Sequence, residues 1–192
     1  KFTRKEKKLV KEARLKLNIL DIEIIKGRVN YRELVIPVIY SIKNINIESP
    51  GMWWNRDTMP VKFNMQNGPS TGDIKGNITI NLTKKKYRLY INIKNFDLQF
   101  MEQYIRDLAY YGSFRAKLDL DVHANGGFTS ILETQAKGTV AINDFHFGKT
   151  AKEDFVSIDR LFISIKDFNP KEYKYDMDSI LVVPITSGLN QC

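Results

Sequence analysis

The sequence predicts a mainly β protein, in which a curved antiparallel sheet with one or two inserted helices forms a groove, a taco-like trough or a half-barrel. Apolar and polar side chains alternate over most of the chain, with the period of two that is typical of strands with one covered face. Strands and helices do not alternate as they do in doubly wound nucleotide-binding folds. With 192 residues, 43% of them hydrophobic, the chain is long enough to bury a sizeable core.

The alternation indicates nine or ten strands. The apolar sets that predict them are 15–24, with Val29 and Tyr31 after Gly27, then 38–47, 61–65, 74–82, 87–93 and 114–122. The next set is 131–142, where Asn143-Asp144 is predicted to end the strand and Phe145 and Phe147 lead on to Gly148; it is followed by 156–165, as one strand or a bent pair, and by 173–183. The run Lys84-Lys85-Lys86 indicates a polar turn, and Asn125-Gly126-Gly127 is typical of a hairpin turn. Over residues 97–109 the apolar period becomes helical, with Asp97 as the N-cap and Gly112 as the stop signal.

The basic residues are concentrated at the N-terminus. The chain carries a net charge of +8, and residues 1–16 contain eight basic residues against two acidic ones. We therefore divide the chain into a basic arm or helix at 1–14 and one β-groove domain at 15–192. The arm suits either contact with an anionic membrane leaflet or a solvated terminal helix. Because the first residue is Lys1 rather than Met, we expect a processed piece whose N-terminal membrane anchor has been lost.

The predicted sheet has more apolar surface than the predicted helix can cover. A helix of about 13 residues spans about 20 Å, far less than the width of ten strands. The sheet must therefore fold on itself, bind something apolar, or do both. The predicted groove lining consists of aliphatic residues on one side of the strands: Ile78, Ile80, Leu82, Leu89, Ile91, Ile93, Leu118, Leu120, Val122, Val140, Ile142, Leu161, Ile163 and Ile165.

Catalytic and metal-binding signatures are missing from the sequence. It contains no phosphate-binding loop, dinucleotide fingerprint or hydrolase motif. Its two histidines, His123 and His146, alternate with apolar residues and are predicted to lie on the surface. Asp119 and Asp121 share the charged side of one strand and are interpreted as solvated carboxylates. Cys192 is the single cysteine, so we expect no disulfide within the chain and no Cys-rich metal site. Because the motifs are missing as well, we expect no metal, no cofactor and no enzymatic activity.

Two aromatic features have competing interpretations. Trp53 and Trp54 are adjacent in a predicted loop and are membrane-interface candidates, although plugging one end of the sheet is the favoured alternative. Lys86-Tyr87-Arg88-Leu89-Tyr90 is the nearest match to a nucleic-acid stacking platform, but Tyr87 belongs to the apolar set. Nucleic acid is therefore not an expected partner. Tight, salt-dependent binding that survives removal of residues 1–14 would revive that hypothesis.

Three segments resemble the AsmA-like family of bacterial envelope proteins. Ile24-Ile25-Lys26-Gly27-Arg28-Val29-Asn30-Tyr31 is similar to the family's strand–Gly–x–Val–x–Tyr hairpin, in which the chain reverses after the first strand. Ile93-Lys94-Asn95-Phe96-Asp97-Leu98, followed by a helix and Tyr110-Tyr111-Gly112-Ser113-Phe114, resembles its strand–helix–strand unit. Ala136-Lys137-Gly138-Thr139-Val140 with Asn143-Asp144-Phe145-His146-Phe147-Gly148 resembles its Gly-x-Val…Asn-Asp-Phe repeat.

The resemblance implies a segment of a longer protein that is anchored in the bacterial inner membrane and faces the periplasm. It also implies a role in envelope homeostasis or phospholipid transport, with phospholipid or another acyl-chain lipid as the partner. The leading hypothesis is therefore a non-enzymatic module that binds or guides acyl chains in an apolar β-groove. The alternative is a structural or interaction β-domain with a closed, dry core, which pairs with neighbouring domains of the same longer chain.

Overall fold

A single curved, open sheet of nine antiparallel strands confirms the predicted fold class. The computed structural model describes residues 19–32, 39–51, 56–68, 71–105, 112–150 and 153–185. The strands are β1 Ile22–Arg32, β2 Ile39–Ser49, β3 Thr58–Asn67, β4 Asp73–Asn81, β5 Lys86–Asp97, β6 Ser113–Gly127, β7 Gln135–Thr150, β8 Glu153–Asn169 and β9 Lys174–Pro184. Each strand pairs with the next along the chain, so within the described part of the chain the sheet is a meander with β1 and β9 at its edges.

The register of the strands places their apolar side chains on one side of the sheet, which we call the apolar face. Directly opposite residues of an antiparallel pair lie on the same side. One row across the sheet consists of Ile47, Phe63, Gly76, Ile91, Val122, Gly138, Ile165 and Met177. A second consists of Met65, Ile74, Ile93, Leu120, Val140, Ile163 and Ile180. The alternate residues form the opposite side, the polar face.

Bulges interrupt the alternation where the strands bend. Lys26, Asn44, Asn95 and Asp144 adopt φ values of 50–53° and lie at register shifts between neighbouring strands. A bulge inserts one extra residue and increases the local bend and twist of its strand. The apolar spacing therefore lengthens from two residues to three, as from Ile93 to Phe96, while both side chains stay on the apolar face.

Two predicted reversals of the chain are wrong. β1 passes through Gly27 without reversing, because the bulge at Lys26 absorbs the break in alternation. β6 likewise continues through Gly126 and Gly127, and the connection to β7 follows at residues 128–134. Close packing explains the glycine at position 126, since a Cβ there would lie 2.9 Å from the hydroxyl oxygen of Tyr87.

The predicted helix begins two residues late, because β5 continues to Asp97. A 3-10 turn at Gln99–Met101 leads into α1 at Glu102–Ile105, and residues 106–109 of the predicted helix lie outside the described residues. The carboxylate of Asp97 accepts a hydrogen bond of 2.8 Å from the backbone N–H of Gln99, close to its predicted capping role. The basic arm at 1–14 and the pair Trp53 and Trp54 also lie outside the described residues.

The helical turns cover one end of the apolar face. The ring of Phe100 lies 4.6 Å from that of Tyr40 and 6.2 Å from that of Phe96, measured between centroids. Phe96 is 8% exposed. We call these three residues the closed corner.

Candidate functional site

The apolar face carries the predicted groove lining. Leu82 is an exception, because it lies in the turn that follows β4 and is 52% exposed. The other thirteen predicted residues lie within strands β4 to β8 and are half-buried. Cross-strand pairs bring them together, for example Ile78 with Leu89, Leu118 with Ile142, and Ile142 with Leu161.

Little of this face is sealed. Among the described residues, the buried apolar side chains on this face are Ile45, Phe96, Phe114 and Ala116, whereas the buried Ala141 lies on the polar face opposite Asp119. All strands of the described part of the chain belong to one sheet, so no second sheet from that part packs on the apolar face. Its central rows therefore present an aliphatic surface that is partly accessible from outside.

The sequence reasoning missed residues at both margins of the face. The register extends the two rows to Ile47 and Met65 on one side and to Met177 and Ile180 on the other. Each continues the alternation of its own strand, so the pattern contained the signal. Which strands are neighbours became clear only from the pairing.

On the polar face, the carboxylates of Asp119 and Asp121 accept hydrogen bonds from neighbouring strands. Asp121 accepts hydrogen bonds from the side-chain amide of Asn92 at 2.9 Å and from the hydroxyl of Tyr90 at 3.2 Å. Asp119 accepts from the backbone N–H of Asn95 at 2.6 Å and from the amide of Asn143 at 2.8 Å. These aspartates therefore stabilise the neighbouring strands and the bulge at Asn95, and they do not form a carboxylate pair across a cleft.

The pKa of Tyr90, which lies beside Asp121, is raised by its surroundings. Desolvation, the hydrogen bond to Asp121 and the negative charge of that carboxylate together raise the pKa of Tyr90 above 10.0. Burial likewise raises the pKa of Tyr40 in the closed corner. Both effects favour the neutral phenol, in keeping with a packing role for each ring.

The two histidines differ in exposure. His123 lies on the polar face, is exposed as predicted, and stacks on Tyr90 with ring centroids 4.6 Å apart. The prediction of a surface position is wrong for His146, whose side chain is 12% exposed. Its Nε2 contacts Arg115 and lies 3.3 Å from a carboxylate oxygen of Asp144, because the bulge at Asp144 turns that carboxylate towards both side chains.

Depressions with volumes of about 360–590 Å³ lie mainly on the polar face and at its hairpin end. The largest is lined by polar and charged side chains that include Lys84, Lys86, Arg88, Lys171 and Glu172. Of the predicted groove residues, Leu89, Ile93 and Leu120 contribute to these depressions. The apolar face is therefore best described as an open aliphatic surface and not as an enclosed pocket.

Comparisons with family models, curated proteins and solved structures gave no match, so the resemblance to AsmA-like proteins stays a prediction. None of the helices among the described residues is long and apolar enough to cross a bilayer. The same residues contain no group of three or more His, Cys, Asp and Glu side chains that could hold a metal ion.

Proposed function

We propose that this chain is a non-enzymatic, lipid-handling module of the bacterial cell envelope, which binds acyl chains on the apolar face. One observation carries the proposal: aliphatic rows continue across the sheet while their central side chains stay half-buried. An acyl chain is the simplest biological ligand that matches such a surface, because it needs no hydrogen-bonding partner. Anchoring at the inner membrane and exposure to the periplasm belong to the same proposal and derive from the AsmA-like resemblance.

The energetic argument concerns the area that is still exposed. Full burial of a Leu or Ile side chain stabilises by about 1.5–3 kcal/mol, so covering the part that is still exposed contributes less than about 1 kcal/mol for each. The central rows contain many such side chains, among them Leu120, Val140 and Ile163. Aliphatic walls recognise length and bulk, and we therefore expect binding that depends on acyl chains and discriminates little between head groups.

The alternative, a closed structural domain, requires that protein segments and not acyl chains cover the apolar face. The described residues form one sheet that does not close on itself. A dry core would therefore need a covering layer from other parts of the chain or from neighbouring domains. Such a domain would depend on Leu120 for folding, whereas a lipid-binding face depends on it for binding.

The test compares one added carboxylate on each side of β6. Leu120→Asp places the charge on the apolar face, and Asn125→Asp places it on the polar face of the same strand. Native mass spectrometry of protein purified from cells should show co-purifying phospholipid on the wild type and on Asn125→Asp. We expect Leu120→Asp to keep its β-sheet circular dichroism and to lose the lipid, because an ionised carboxylate is costly to bury against an acyl chain.

Two results would contradict the proposal. The first is wild-type protein that carries no lipid and does not bind a fluorescent fatty acid added in solution. The second is a Leu120→Asp variant that unfolds while Asn125→Asp stays folded, since that outcome indicates a closed core beneath Leu120.

A further inference from the structure

The two edges of the sheet differ in how well they are protected against pairing. Edge strands expose unpaired backbone N–H and C=O groups, and bulges and charged side chains are common devices that block further pairing. β1 has both, because a bulge at Lys26 shifts its register and charged residues such as Glu23 and Arg28 are distributed along it. The last residues of β9 have neither a bulge nor a charged side chain.

The unprotected stretch of β9 is Ser179–Val183. It pairs with β8 without a register shift, from Ser179 opposite Ser164 to Val183 opposite Arg160. Ile180, Leu181 and Val182 are 63%, 52% and 53% exposed, respectively. Since successive side chains of a strand point to opposite sides, this edge is apolar on both faces of the sheet. Such an edge is a template for another strand.

We propose that the chain forms a symmetric dimer in which β9 pairs antiparallel with β9 of a second copy. A two-fold axis perpendicular to the sheet pairs residues of the same face. When it passes through Leu181, Ile180 lies opposite the partner's Val182, and each apolar face continues into the next copy. Pairing through β9 stands independently of the proposed acyl-chain function.

Backbone chemistry and charge both select this register. Asp178 is the extra residue of a bulge against β8 and ends the regular ladder on one side, while Pro184 lacks an N–H and ends it on the other. Leu181 is the midpoint between these limits. Registers shifted towards the start of β9 would bring Asp176 and Asp178 opposite the partner's carboxylates, and such like-charged pairs are destabilising. The short ladder predicts a weak dimer whose population depends on concentration.

The test introduces one lysine at each edge in turn. Leu181→Lys places two ammonium groups opposite each other at the proposed axis, and Ile25→Lys is the matched control, because Ile25 is 65% exposed on β1. Sedimentation velocity over a wide concentration range, with reducing agent present to exclude a disulfide through Cys192, should show wild-type dimers. We expect Leu181→Lys to raise the dissociation constant at least about tenfold, and Ile25→Lys to leave it unchanged.

Hydrogen exchange gives a second readout that does not depend on a variant. Amides of Ser179–Val183 should gain protection as the wild-type concentration rises, whereas those of β1 should not. The proposal is overturned by wild-type protein that stays monomeric at all concentrations, by a dimer that Ile25→Lys weakens as much as Leu181→Lys does, or by concentration-dependent protection confined to β1.

Discussion

The closed corner and the centre of the apolar face have similar apolar composition but different cover. In the closed corner, Phe100 of the 3-10 turn lies against Tyr40 and Phe96, and Phe96 is 8% exposed. In the centre, Leu120 and Ile163 lie opposite other aliphatic side chains but stay half-buried. The sheet therefore forms a core where a segment crosses it, and presents a surface where none of the described residues does so.

The largest expected effect is on stability in the closed corner. Phe96→Ala should lower the free energy of unfolding by about 3–5 kcal/mol, because it leaves a cavity under Phe100. Ile163→Ala in the open centre is the comparison, and we expect a smaller loss of about 1–2 kcal/mol, since part of its side chain stays exposed to solvent. Urea unfolding measures both values. Equal losses would show that the centre is as well packed as the corner and would remove the contrast.

The second-largest expected effect on stability comes from the backbone conformation of Gly138, which lies in the open centre of the apolar face. Gly138 has φ +141°, and a Cβ added there would lie 2.0 Å from the carbonyl oxygen of Asp121. Gly138→Ala should therefore lower the free energy of unfolding by about 2 kcal/mol, although it adds apolar surface. Ala136→Gly on the same face of β7 is the control and should cost at most about 1 kcal/mol. A neutral Gly138→Ala would mean that β7 can shift away from β6.

The sequence predicts the strands of this molecule well and their bulges poorly. Regular alternation, as from Tyr87 to Ile93, identifies a strand because one face is apolar throughout. The bulges leave a weaker signal, namely a step of three between apolar residues with Asn or Asp just before the second, as in Ile93-Lys94-Asn95-Phe96. Interpreting such a step as a strand end produced the errors at Asn143-Asp144, which β7 passes through, and at the start of the predicted helix, whereas the bulge at Lys26 lacks this signal.

The candidate site divides in the same way. Which side chains share the apolar face follows from the period of two, so the half-buried lining could be predicted. Exposure depends on which segments cross the face, and this is set by contacts distant in sequence, such as that between Tyr40 and Phe100. The shielding of His146 has a similar origin, because it needs the bulge at Asp144 and a partner from β6.

The smallest expected effect extends the comparison to the polar face through two tyrosines. The pKa of Tyr40 is raised by burial in the closed corner, and that of Tyr90 by desolvation and by its hydrogen bond to Asp121. A tyrosine with a raised folded-state pKa adds stability that is fully present below pH 10.0 and is lost as the pH rises through the folded-state value. Stability should therefore fall in alkaline solution, and Tyr40→Phe and Tyr90→Phe should each make that fall less steep.

Below pH 10.0 the two substitutions should have different effects on the free energy of unfolding. The hydroxyl of Tyr40 is buried without a hydrogen-bond partner among the described residues, so its removal should be neutral or stabilising. The hydroxyl of Tyr90 donates to Asp121, and its loss should be slightly destabilising. Urea unfolding at neutral and alkaline pH measures both. If Tyr40→Phe destabilises the protein at neutral pH, its hydroxyl has a partner, and the corner is less closed to water than the contacts of Phe100 indicate.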